Sequence, residues 1–161
     1  MRRAAAGCLL LLALPACFFF REHDDDPVLG LEIPDTASPG EVVTAELTVE
    51  NPGPEEMRNV VVAFATVGVA AASGPIPNEL VPVTTTADNP AVESVEPSPS
   101  SVSDDGVVYV FGGLDAGEET TITFELRVPE QPGPAANSLS VYEGDDTERI
   151  SGLLLQTVVR E

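Results

Sequence analysis

Between residues 41 and 50 the chain alternates strictly: Val43, Ala45, Leu47 and Val49 hold one parity, and Thr44, Glu46, Thr48 and Glu50 the other. Side chains along a strand point alternately to two faces, so this pattern predicts a strand with one buried and one wet side. Residues 119–128 repeat it more cleanly. Thr120, Ile122, Phe124, Leu126 and Val128 take the inward parity, and Thr121, Thr123, Glu125 and Arg127 the outward one. Residues 59–67 are apolar at both parities, as expected of a central strand.

The rest of the chain predicts shorter strands. They fall at 28–33 (an edge strand stopped by Pro34), 81–86, 91–95, 107–111, 138–142 and 152–159. Breakers separate them: Pro39-Gly40, Asn51-Pro52-Gly53-Pro54, the Pro- and Ser-rich stretch at 97–101, Gly112-Gly113, residues 129–134 and Gly144-Asp145-Asp146. The prolines near 81–95 confine those runs to sheet edges. No segment keeps a helical period. Short strands punctuated by turns predict an all-β sandwich over residues 28–161. Its core is expected to contain Leu47, Val49, Val62, Phe64, Phe111, Ile122, Phe124 and Leu126.

Charge removes several partners. The 161 residues hold 27 acids against seven bases, all arginine, for a net charge of −20. Phosphate backbones need a basic surface, so nucleic acid is excluded as a partner, and a polybasic grip on anionic lipid is excluded too. The hydrophobic fraction of 43% is enough for a core despite the charge.

The N-terminus departs from the strand pattern. Arg2 and Arg3 precede an apolar run from Ala4 to Ala16, too short to span a bilayer as a helix. A basic start followed by a short apolar run is signal-peptide anatomy. The run ends Leu14-Pro15-Ala16-Cys17, which resembles the lipobox of bacterial lipoproteins. That resemblance implies a signal peptide at 1–16, with Cys17 lipidated as the first mature residue and anchored in membrane lipid. Phe18, Phe19 and Phe20 then suit the bilayer interface. The acidic residues up to Pro27 complete a solvated tether at 17–27. Phe18 stands where many inner-membrane lipoproteins carry aspartate, so in a two-membrane cell the outer membrane is expected. With Cys17 acylated, the mature chain has no second cysteine for a disulfide.

Two segments carry a further resemblance. Residues 47–64, LTVENPGPEEMRNVVVAF, resemble the strand–turn–strand unit of bacterial and archaeal surface repeats, and residues 113–128, GLDAGEETTITFELRV, resemble their closing segment. These are CARDB-type immunoglobulin-like domains. The resemblance implies an immunoglobulin-like β-sandwich and leaves function open.

Candidate chemistry is sparse. The one histidine, His23, lies in the tether, away from any pocket that a nucleophile–base pair would need. One His and one lipidated Cys do not make a zinc site. The remaining candidates are Asp104 with Asp105, and Asp145 with Asp146, with Glu143 and Glu148 near the second pair. Sandwich loops that converge can share a calcium ion; the alternative is that these acids serve turn geometry. The expectation is a non-enzymatic protein without cofactor that contacts an envelope or extracellular protein. A calcium- or carbohydrate-dependent ligand-binding module is the alternative.

Overall fold

The computed structural model describes residues 24–65, 78–80, 91–144 and 146–161. The expected signal peptide, Cys17, Phe18–Phe20, His23, the strand expected at 81–86 and Asp145 lie outside these residues.

The described chain is an immunoglobulin-like β-sandwich with no helix. Its strands are β1 (Val28–Glu32), β2 (Thr36–Ala37), β3 (Val42–Glu50), β4 (Val60–Phe64), β5 (Asn78–Glu79), β6 (Val92–Glu96), β7 (Ser101–Val102), β8 (Val108–Val110), β9 (Glu119–Arg127), β10 (Gly133–Glu143) and β11 (Asp146–Val159). One sheet has the order β1-β3-β9-β6; the other runs β2-β11-β10-β4-β8-β7, with β5 pairing β10 in parallel.

The two strictly alternating segments are neighbours. β3 pairs β9 antiparallel over nine residues, Leu47 opposite Ile122 and Ala45 opposite Phe124. Register here is fixed by burial, because a one-residue slip would turn every apolar side chain outward. The inward row of both strands is buried except Thr120, which is half-buried. All eight residues expected in the core are buried. Phe64, Tyr109 and Phe124 form a triangle of edge-to-face contacts with centroids 5.3–5.9 Å apart, joining the two sheets. Burial pushes the Tyr109 phenol up to about 12, and its hydroxyl donates to the Gly106 carbonyl at 2.8 Å.

β4 lies between β10 and β8, as its two-sided apolar pattern requires. β1 and β6 are the edges of the first sheet. Three expectations change. β10 starts at Gly133, within the expected 129–134 loop, and β11 starts at Asp146, six residues before the expected strand. The two form one long hairpin in which each polar stretch faces a partner strand, Ala136 opposite Gln156 and Val141 opposite Ser151. A two-residue strand at 101–102 closes the edge beside β8, where only a breaker was expected.

Candidate functional site

Strand direction gives the sandwich two distinct ends. At one end lie the start of β1, the end of β3, the start of β4 and the β10–β11 turn: Val28 is opposite Glu50, and Val60 opposite Glu143. At the other lie the β7–β8 turn, the β9–β10 connection and the end of β11.

The first end is built around Asn51, which is fully buried. Its Nδ2 donates to the carbonyls of Glu55 (2.8 Å), Leu114 (3.0 Å) and Asp115 (3.2 Å). Its Oδ1 accepts from Gly53 N at 3.2 Å and from Arg149 Nη2 at 2.9 Å. Its backbone is tied as well, with Asn51 N donating to Glu118 O and Gly117 N to Asn51 O. The two stretches that resemble a surface repeat are therefore one unit: the Asn51-Pro-Gly-Pro turn and the Gly113–Glu118 loop satisfy each other's buried polar groups, which would otherwise cost free energy. Met57 and Leu114 complete the seam with a pair of backbone hydrogen bonds, 2.9 and 2.8 Å. Two glycines are needed for the fit. A Cβ on Gly53 would stand 2.7 Å from Arg149 Nη2, and one on Gly113 would stand 2.9 Å from the Met57 carbonyl.

Arg149 fastens the incoming chain to this corner. Its Nε and Nη2 donate to the Asp25 carbonyl at 3.0 and 2.8 Å, and its Nη1 lies 3.1 Å from Glu143 Oε2. Glu143 Oε1 also accepts from Arg58 N at 3.2 Å. Sequence reasoning missed Arg149 because its partners lie 98 and 124 residues away. The one readable signal was Asn51 itself, an amide opening a Pro-Gly-Pro turn.

Beside the corner, on the outer face of the second sheet, is an open groove of about 710 Å³. Val61, Val108, Val110 and Tyr142 contribute to it, with Arg58 and Glu143 among its polar residues. Glu143 is already engaged by Arg149 and by the Arg58 amide.

The acidic turns are set apart. Asp104 and Asp105 lie in the β7–β8 turn beside the Phe64 end of β4, since Phe64 N donates to Val107 O. Asp146 opens β11 opposite Glu143, at the Val60 end. Four residues of β4 separate the β7–β8 turn from Asp146, roughly 13 Å at strand rise. Asp105 shapes its own turn. It accepts from the Ser103 hydroxyl and, at 3.4 Å, from Val107 N, while Ser103 Oγ accepts from Val108 N at 3.0 Å. The Ser103 hydrogen bond holds the Asp105 carboxyl below the ordinary carboxylate range. Among the described residues no group of three or more His, Cys, Asp or Glu is placed to hold a metal.

No family model matches the chain, and no curated protein matches it. Solved structures do resemble it. A CARDB domain from Pyrococcus furiosus, solved in complex with di-metal ions, has 15% identity and a TM-score of 0.44, over 84% of this chain and 90% of that one. The bacterial hydrophobin BslA has 11% identity and a TM-score of 0.48, over 82% and 98%. The ASH/PapD-like domain of human CEP192 has 13% identity and a TM-score of 0.40, over 99% and 96%. At these values the likenesses carry no argument about function.

Proposed function

We propose that this chain is a membrane-anchored, non-enzymatic surface lipoprotein whose immunoglobulin-like domain engages another envelope or extracellular protein. The observation that supports it is the polarity of the sandwich. The chain enters at the Asn51–Arg149 corner, where Asp25 is gripped, only eight residues after Cys17. A lipid on Cys17 therefore holds that end toward the membrane, since eight extended residues reach about 29 Å at most. The β7–β8 turn and the β9–β10 connection then face outward, in the same direction as the ends of β4 and β11. In a two-membrane cell the outer membrane is the proposed location. The stretches at 68–82 and 87–101, which β5 and β6 interrupt, or the sheet edge beside them, are the proposed contact. Long connections are a common place for binding, and a neutral or basic partner patch suits a chain of net charge −20.

The test is photocrosslinking in intact cells from the full chain. A crosslinking residue at Asp104 or Glu130, at the outward end, should give adducts to another envelope protein. The same residue at Glu55, at the corner, should not. Adducts of equal yield from both ends, or none from either outward position, would contradict the reading.

A further inference from the structure

An open sheet edge offers a row of unpaired main-chain groups to another chain, and folded proteins usually guard it. Four of the edge strands here are guarded. β6 is broken by a register shift between Val92 and Ser94 and is followed by Pro97; β1 lies between Pro27 and Pro34; β2 and β7 are two residues each. β11 differs. Among the described residues its side away from β10 is paired only at Val158 and Val159, by β2. On that side Val158 N donates to Asp35 O and Arg160 N to Ala37 O. Main-chain groups of alternate residues point to the same edge of an antiparallel strand, so Gly152, Leu154 and Gln156 turn their N–H and C=O groups there too. All three are exposed. Residues 150–159 contain no charge and no proline, and they pair with β10 without a bulge.

We propose that this edge, from Ile150 to Gln156, takes an added strand from another protein: an extended, apolar-alternating segment without acids and with basic flanks. Its limits set the length. β2 closes one end at Val158, and at the other Arg149 holds the Asp25 carbonyl. Between them is room for about seven residues, an ordinary strand length. The surroundings set the side chains. Leu154 is 55% exposed and Ile150 40%. The outward positions of β11 from Ile150 to Val158 carry no charge, nor do those of β10 over 134–142 and of β4 beside it. On the inner side, Leu153 and the Leu29 and Leu31 side chains of the neighbouring β1 are only partly buried, so apolar side chains on an added strand have apolar surface to cover. A chain of net charge −20 repels a segment that carries acids and favours one that carries bases. Main-chain hydrogen bonds, rather than a large buried area, supply the affinity, and the alternate side chains supply the specificity. This site is separate from the contact proposed above and rests on neither that contact nor the anchor.

Amide exchange of the full chain in mild detergent, read residue by residue by NMR, tests it. The probe is a peptide of alternating valine and threonine, about seven residues long with a lysine at each end, titrated to about 1 mM. In the free chain the amides of Gly152, Leu154 and Gln156 should exchange about tenfold or more faster than those of Leu153 and Leu155, which β10 holds. The peptide should slow those three about tenfold or more and leave β6 unchanged. The same peptide N-methylated throughout has no main-chain donors and should bind about tenfold or more weakly; one with glutamate at each end should also bind more weakly. Leu154→Pro removes a donor that faces the open side while leaving the pairing with β10, as proline at a sheet edge can. It should weaken the peptide about tenfold, with circular dichroism checking the fold. Slow exchange at the three amides in the free chain, or a peptide that leaves them unprotected or protects β6 as well, would overturn the proposal. So would equal binding of the N-methylated or glutamate-ended peptide, or a folded Leu154→Pro chain that binds as before. Protection that grows with the concentration of the chain alone would assign the edge to a second copy and overturn it too.

Discussion

Phe124→Ala should lower the unfolding free energy by about 3–5 kcal/mol, a large fraction of what holds a domain of this size together. Phe124 is 1% exposed and meets Phe64 and Tyr109 edge to face at 5.3 and 5.6 Å. Truncation empties the point where the two sheets touch through aromatic rings, and strands held at both ends cannot close the gap. Thr123→Ala, next along β9 on the wet face, should cost well under half as much. Urea unfolding of both variants checks this. Equal losses would mean that the facing of β9 is reversed.

Asn51→Ala should cost about 3 kcal/mol, because it empties a fully buried position and removes the partner of five groups at once, two of them in buried bonds. The carbonyls of Glu55, Leu114 and Asp115 lose their donor, and Gly53 N and Arg149 lose their acceptor. Asn51→Asp keeps the shape and the Oδ1 contacts, yet points an acceptor at three carbonyl oxygens, so it should lose about as much. Chemical denaturation at neutral pH measures both. A loss below about 1 kcal/mol for Asn51→Ala would show that water replaces the amide and that the corner is not held by it.

Some of this architecture was legible in the sequence. β3 and β9 read directly, since each has one buried and one wet face and the alternation leaves a single register. β4 read as central because both its parities are apolar. The polar half of the β10–β11 hairpin did not read, because Asp146, Thr147, Glu148 and Ser151 carry no alternation; Asp146 and Ser151 pair with β10, and a register shift between them leaves residues 147–149 without a Cα partner there. Asn51-Pro-Gly-Pro read as a turn, but its bond to Leu114 spans 63 residues, and no local pattern encodes such a pairing. The acidic pairs were ambiguous for the same reason. Asp105 followed by Gly106 is turn chemistry as much as ion chemistry, and only the fold shows that its carboxylate is used by Ser103 and Val107 while Asp146 lies at the far end of β4. The uncharged outer sheet was present in the sequence as the missing acids of 60–64 and 134–142. That these stretches share one outer face follows from the strand order β11-β10-β4-β8.

The account turns on a sandwich held at a membrane by its entering end. Its most direct test is the mass of the mature N-terminal peptide, from chain purified out of the membranes of cells that process lipoproteins. The account predicts a peptide that begins at Cys17 and carries a diacylglyceryl thioether and an acylated amine. A mature chain that begins at any other residue, or a Cys17 that remains a free thiol, would contradict it.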